Sequence, residues 1–296
     1  MKFLVSGSSG LVGSALLPFL TSAGHTVTRL TRSSAGAGTA QWDPSGGTID
    51  APALEGHDAV VHLAGESIAQ RWTPKSKARI RDSRVKGTRL LAETLGRLAQ
   101  PPKVLVAASA IGYYGDRGDA LLREDSASGS GFLAEVAREW ETATASATAK
   151  GIRVVNLRTG IVLSRRGGAL AKMLLPFKLG LGGVVGSGKQ HWSWVALDDL
   201  LGIILFAATT DTLKGAVNAV SPKPVTNYEF TKTLGRVLRR PTIFPLPAFA
   251  ARLALGEMAD ELLLSSTKVE PAKLTAAGFQ FRFPELEGAL RHLLRR

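Results

Sequence analysis

The chain has 296 residues, enough for one large domain or for a domain with a smaller partner, and 45% of them are hydrophobic. It contains no cysteine, which excludes disulfides, thiolate metal sites and thiol nucleophiles and fits a cytoplasmic location; no metal site is expected. The formal charge of +13 is spread along the chain without a long basic run, so a specific nucleic-acid partner is not expected, and the densest basic stretch (71–89) suits a phosphorylated small molecule instead.

In chain order, FLVSG (3–7) reads as a buried strand that breaks into glycine and serine too early for a secretory signal. LVGSALLPFLTSAG (11–24) reads as a helix closed by a glycine, and HTVTRLTR (25–32) as a second strand. DAVVHLAG (58–65) is an apolar strand stopped by glycine, followed by a helix over about 75–98 and a buried strand, KVLVAAS (103–109). A long helix is expected over about 132–149, a strand over 153–163, and a return to the sheet with a helix over 192–208. Alternating apolar strands and helices imply a Rossmann-type α/β fold, a doubly wound parallel sheet covered on both faces. Beyond residue 221, proline-rich turns separate short helices, so residues 1–220 are expected to form the nucleotide-binding domain and 221–296 a small C-terminal cap. No apolar run reaches the length of a bilayer, and no membrane partner is expected.

Gly7, Gly10 and Gly13 form G-x-x-G-x-x-G between the first strand and the first helix. Glycines let a backbone turn sharply and approach a pyrophosphate, while the helix N-terminus offers N–H donors and partial positive charge. Ser9, Leu11 and Val12 complete this candidate cradle. Dinucleotide sites that bind a ribose 2′-hydroxyl carry an acidic residue after the second strand; this chain has Thr31 and Arg32 there. A guanidinium pairs bidentately with phosphate and stacks on adenine, which points to NADP(H) rather than NAD(H). The alternative for Arg32 is a solvated surface charge. His62 has no metal-ligand companions in sequence and reads as a hydrogen-bonded strand residue.

Further segments narrow the pattern: HLAGESI (62–68), RIRDSRVKGT (79–88), SAIGYYGD (109–116), RTGIVLSRRGGAL (158–170), LLPFKLGLGGVVGSGKQHWSW (174–194) and GFQFRFPELEGAL (278–290). With the glycine turn, they resemble the atypical epimerase-like branch of the extended short-chain dehydrogenase/reductases, over essentially the whole chain. The resemblance implies a family-specific C-terminal segment over about 247–294. It implies that Leu63, Ala64 and Gly65 lie along the cofactor, that Arg79 and Arg84 reach the cofactor side of the sheet, and that Thr159 to Val162 lie near the nicotinamide. For Arg79 and Arg84 the alternative is a solvated helix face.

The same resemblance exposes a gap. Such enzymes use Ser or Thr at the end of the fifth strand with Tyr-x-x-x-Lys on the next helix, whose lysine lowers the tyrosine pKa. Ser109 fits the first role, although a shift of one residue puts Ala110 there. If Glu141 marks the register, Leu133 stands for the tyrosine and Ala137 for the lysine; a shift gives Phe132 and Val136, equally inert. Tyr113 and Tyr114 are the substitute hydroxyls, with aromatic packing as their alternative. The glycine-rich block ending in Lys189, Gln190, His191 and Trp192 is a candidate substrate wall, or a structural loop. The expectation is an NADPH-dependent oxidoreductase acting on a small, nucleotide-sugar-like molecule, as monomer or homodimer. The competing class is a non-catalytic NADPH-binding sensor.

Overall fold

The structure is a computed structural model and describes residues 1–33 and 36–295. In chain order, β1 (Lys2–Ser6), α1 (Leu11–Ser22), β2 (Thr26–Thr31), β3 (Thr39–Asp43), β4 (Thr48–Ile49), β5 (Ala59–His62), α2 (Pro74–Leu95) and β6 (Val104–Ala110) come first. Next are β7 (Leu121–Leu122), α3 (Phe132–Thr142), α4 (Ala145–Ala149), β8 (Arg153–Thr159), β9 (Ile161–Leu163) and α5 (Gly168–Lys178). Then follow β10 (His191–Trp192), β11 (Trp194–Ala196), α6 (Leu197–Thr209), β12 (Gly215–Ala219), β13 (Val225–Thr226) and α7 (Asn227–Leu238). The chain closes with α8 (Ala248–Leu255), α9 (Glu257–Ala259), a π-turn (Asp260–Leu264), β14 (Lys268–Val269), α10 (Ala272–Ala276) and α11 (Leu286–Leu294).

Eight strands form one sheet in the order β12-β8-β6-β5-β1-β2-β3-β4. β1 pairs in parallel with β2 on one side and β5 on the other; β2–β3 and β5–β6 are also parallel, and β4 is antiparallel to β3. The chain runs outward from β1 in one direction, then returns to β5 and runs outward in the other. The strand order reverses between β1 and β5, and their carboxyl ends border the crevice where open α/β sheets bind ligands. The central strands β1 and β5 are apolar without alternation (Phe3, Leu4, Val5 and Val60, Val61 are fully buried), as expected of parallel strands buried on both faces.

The described residues cluster into two compact units, each discontinuous in sequence. One comprises Met1–Ser109, Val136–Leu157 and Leu201–Val217; the other comprises Ala110–Glu135, Arg158–Leu200 and Asn218–Arg296. The first has a core of Leu4, Leu30, Trp42, Val60, Leu91 and Leu105. The second has one of Leu163, Phe177, Trp194, Phe230, Leu234 and Leu290.

Two expected elements are divided. The helix expected over 132–149 breaks into α3 and α4, where hydroxyls compete for helix carbonyls: Thr142 donates to Arg138 O at 2.8 Å and Thr144 to Glu141 O at 2.7 Å. The strand expected over 153–163 breaks at Gly160, and β9 pairs with β11 instead of continuing the main sheet. A Cβ on Gly160 would lie 2.6 Å from Ser193 O, so this close crossing requires glycine.

Candidate functional site

The glycine turn packs tightly. Gly7 has φ +69°, a conformation natural to glycine, and a Cβ there would lie 2.6 Å from Leu63 C and 2.7 Å from Ala64 N. The backbone of the loop after β5 therefore lies directly against the backbone of the turn after β1. Gly13 lets α1 sit on the turn, since its Cβ would lie 2.2 Å from Gly7 O. Gly10 caps α1 without a side-chain hydrogen bond, and the first helical turn holds no acidic residue. Gly10 N donates to Gly7 O at 3.0 Å. With Ser9 exposed and Leu11 and Val12 half-buried, the first amides of the helix, which have no intrahelical partner, face a site for an outside acceptor. This cradle, which a single Cβ would fill, fits a dinucleotide pyrophosphate.

A buried polar chain fixes the two loops. Ser6 accepts from Leu63 N at 3.2 Å and lies 2.6 Å from His62 Nδ1; His62 Nε2 lies 3.0 Å from Thr88 Oγ1. Trp140 Nε1 donates to the same Thr88 oxygen at 2.9 Å. Burial pushes His62 down to about 4, so the ring is neutral, with one nitrogen donating and the other accepting. The reading of His62 as a bonded strand residue holds, and the polar chain joins β1, β5, α2 and α3.

Arg84 does not project into open solvent. It donates to Glu66 O at 2.9 Å and Ile80 O at 3.1 Å, lies under Gly65, and faces the Trp140 ring with its Cζ 5.0 Å from the centroid. Burial lowers it to about 10, with Glu66 opposing, so it remains a cation at neutral pH. Its evident work is to hold the backbone of the Leu63–Glu66 loop. Arg79 is exposed and donates to Gln70 Oε1 at 3.0 Å, with Glu66 Oε1 3.6 Å away. Arg32 is exposed at the end of β2, and Thr31 beside it donates to Ser33 O at 3.2 Å. The carboxyl end of β2 thus carries a guanidinium where the sequence pattern places it.

Ser109, near the end of β6, is buried and donates to Glu141 Oε1 at 2.8 Å. Sequence reading used Glu141 only as a register mark; the fold makes it the partner of the candidate serine. Ala137 is buried and Leu133 half-buried, so the helix presents neither phenol nor ammonium at the positions where the resemblance puts them.

In the second unit, Tyr114 is fully buried. Its hydroxyl donates to Asn218 Oδ1 at 2.7 Å, lies 2.9 Å from Arg123 O, and accepts from Arg158 Nη1 at 3.0 Å. Burial raises its pKa, with Arg158 and Asn218 opposing. Tyr113 is half-buried, and the Arg158 guanidinium stacks on its ring at 3.4 Å from the centroid. Arg158 of β8 is thus a cationic neighbour to both tyrosines. Val162 is half-buried in β9, paired with Val195.

The glycine-rich block is anchored as a loop. Gln190 donates to Val185 O at 2.9 Å and Leu263 O at 3.0 Å, Trp192 donates to Leu263 O at 3.3 Å, and Lys189 is exposed. His191 is driven below its usual range by burial and then by Lys268, with Asp119 opposing. Asp199 accepts from Arg282 N at 2.8 Å and Phe283 N at 3.0 Å, a structural role. Glu261 was not singled out in the sequence; it accepts from Phe132 N at 3.2 Å and Leu133 N at 3.4 Å, and a Cβ on Gly131 would collide with its carboxylate. Among the described residues no cluster of His, Cys, Asp and Glu could hold a metal ion.

Comparison with known proteins agrees with this geometry. Residues 3–219 match the NAD dependent epimerase/dehydratase family, and residues 246–293 match a domain of unknown function, DUF1731. The epimerase family protein Mb2239 of Mycobacterium bovis is 44% identical over 288 residues, covering 97% of this chain and 95% of that protein. The crystal structure of human epimerase family protein SDR39U1 (isoform2) with NADPH superposes with a TM-score of 0.91 at 37% identity, covering 100% of both chains. UDP-N-acetylglucosamine 4-epimerase from Bacillus cereus shares the fold, with a TM-score of 0.79 at 18% identity and coverage of 99% and 98% of the two chains. The strand order, the glycine turn at its reversal and these matches together place the chain in the NAD dependent epimerase/dehydratase family, with a C-terminal DUF1731 segment.

Proposed function

We propose that this chain is an NADPH-dependent oxidoreductase of the epimerase-like kind, acting on a small molecule. The observation that carries the reading is the glycine turn at the β1/β5 reversal, packed so closely on Leu63 and Ala64 that a Cβ at Gly7 or Gly13 would fill it. Arg32, in place of an acidic residue, selects the 2′-phosphate, and the human relative with a TM-score of 0.91 was crystallised with NADPH. In this reading Gly7 to Gly13 hold the pyrophosphate, Thr31 and Arg32 the adenosine end, and Leu63 to Gly65 the flank, with Arg84 holding that loop. Arg79 guards its outer side, and Val162 belongs to the nicotinamide end. When bound, NADPH supplies a hydride.

The chain must then supply the polarising hydroxyl and the proton. Ser109 and Tyr113, close in sequence, are the proposed donors; Tyr114, whose oxygen is already engaged by Asn218, Arg123 O and Arg158, positions the Tyr113 segment. Glu141 accepts from Ser109 and orients it, and the proton taken up by the reduced oxygen comes from the Tyr113 hydroxyl. Nucleotide-sugar-like substrates, a cytoplasmic setting and a monomer or homodimer belong to the same reading. A second reading, a non-catalytic NADPH-binding sensor, is favoured by Leu133 and Ala137 at the tyrosine and lysine positions.

Calorimetry of NADPH and NADH binding to wild type and Arg32→Asp tests the cofactor assignment. NADPH affinity should fall about ten- to a hundredfold, consistent with about 1–3 kcal/mol for a charge-assisted contact, and NADH affinity should hardly change. Equal losses for both cofactors would refute the role of Arg32.

A further inference from the structure

The second unit carries an apolar face that none of this chemistry uses. Leu175 and Leu179 lie four apart on α5 and just beyond it, on one side, and both are about two-thirds exposed. Phe249 and Leu253 lie four apart on α8 and are 72% and 86% exposed. Ile243 and Phe244, in the segment leading into α8, are 70% and 54% exposed. The segments that carry them run side by side. Val185 bridges Leu246 in parallel; Leu246 N donates to Val184 O at 2.8 Å and Gly186 N to Leu246 O at 2.9 Å. Gly183 packs on Phe244 O, Gly180 on Pro241, and Arg240 Nε donates to Lys178 O at 2.8 Å. Large apolar side chains left exposed on neighbouring segments mark an interaction site.

The rim of the face is basic. Lys172 and Lys178 flank Leu175 on α5, and Arg239 and Arg240 end the α7 segment; all four are exposed, and none pairs with a carboxylate among the described residues. The nearby acids are largely committed. Asp260 is paired with Arg252 at 2.9 Å, Glu229 sits in the α7 capping box, and Glu287 takes Arg236 and Arg291. Glu257, in the first turn of α9, also has its own interactions. Exposed apolar anchors with exposed cations on the same segments match an interface that is apolar inside and negative at its surface. A second copy would bring the same cations together on a chain of charge +13, which disfavours self-pairing.

We propose that this face docks onto an anionic lipid surface, with Leu175, Leu179, Phe249 and Leu253 entering the headgroup region and Lys172, Lys178, Arg239 and Arg240 meeting lipid phosphates. The face lies on the membrane and does not cross it: among the described residues no helix is long and apolar enough to span. The sequence expectation of no membrane partner rested on the lack of a spanning run, and a face that lies on a lipid surface is a separate proposal. The proposal is independent of the redox reading.

The test is co-sedimentation of the full chain with vesicles of phosphatidylcholine alone, and with about 30 mol % phosphatidylglycerol added, in about 0.15 M salt. Wild type should partition into the anionic vesicles on the order of tenfold more than into the neutral ones. Phe249→Glu/Leu253→Glu, at exposed positions that leave the core intact, should abolish binding, and Lys172→Glu/Lys178→Glu should weaken it severalfold. No sedimentation with either vesicle would overturn the proposal, as would anionic binding that the apolar double variant leaves unchanged. Self-association by light scattering that Phe249→Glu/Leu253→Glu dissolves, without vesicle binding, would assign the face to a second copy instead.

Discussion

Acidification should destabilise this protein in part through His62. The ring is fully buried and is bonded at both nitrogens, to Ser6 Oγ at 2.6 Å and Thr88 Oγ1 at 3.0 Å. It also meets the Trp42 ring edge-on, with centroids 5.8 Å apart. Burial lowers its pKa from 6.5 to about 4. Above pH 6.5 the ring is neutral in both folded and unfolded chains and adds no pH dependence. As pH falls below 6.5 the unfolded chain takes up a proton that the folded chain refuses, so stability is lost until the folded ring itself titrates near 4. The full shift corresponds to about 3 kcal/mol, of which about 2 kcal/mol is lost by about pH 5. The assay is urea unfolding between about pH 7 and pH 5 on wild type and His62→Gln. The variant should be less stable at neutral pH, with a gap that narrows by about 2 kcal/mol on acidification, because the carboxylates and the other histidines cancel in the difference. Parallel pH profiles for the two proteins, or a His62 resonance titrating near its ordinary value, would refute the buried neutral ring.

Gly13→Ala would place a Cβ 2.2 Å from Gly7 O, so it should weaken NADPH binding more than tenfold and cost about 1–3 kcal/mol of stability; unchanged titration and melting curves would count against the packed turn. If a hydride-transfer screen finds a substrate, Ser109→Ala and Tyr113→Phe should each lower turnover by about ten- to a thousandfold with NADPH affinity intact, and variants matching wild type would sink that assignment. Tyr114→Phe should instead lower stability by about 1–3 kcal/mol, because Arg158 and Asn218 lose a buried partner, and a melting curve checks it. Any DNA or RNA affinity should collapse between low salt and about 200 mM salt without sequence preference; a complex that survives and discriminates sequences would overturn the reading of the +13 charge.

Local patterns in the sequence already carry the Rossmann sheet, the glycine turn and the arginine after β2. The strands over 3–7, 58–65 and 103–109 appear as apolar runs because a parallel sheet covered on both faces has no polar side to interrupt them, and the strand over 25–32 is marked by its β-branched residues. Gly7 and Gly13 are legible for a related reason: a turn that meets another backbone tolerates no side chain, and the spacing records it. The breaks at Ala143–Thr144 and Gly160 were not legible. Each depends on a carbonyl competed for locally, or on a strand from elsewhere in the chain, as Ser193 is for Gly160.

The chemistry of individual side chains was decided by tertiary structure, because burial and partners are properties of distance and not of spacing. Arg84 and Arg79 look alike on the α2 pattern, yet one is desolvated beneath Gly65 and the other lies exposed beside Gln70. Tyr113 and Tyr114 are neighbours in sequence, yet only Tyr114 is closed off, by Asn218, more than a hundred positions away. Glu141 and Glu261 read as ordinary helix and turn acids until the fold sets one on Ser109 and the other on the amides of Phe132 and Leu133. Backbone demands repeat at short range and leave a pattern in sequence; a side chain's electrostatic surroundings are assembled from segments far apart along the chain, so they exist only once it has folded.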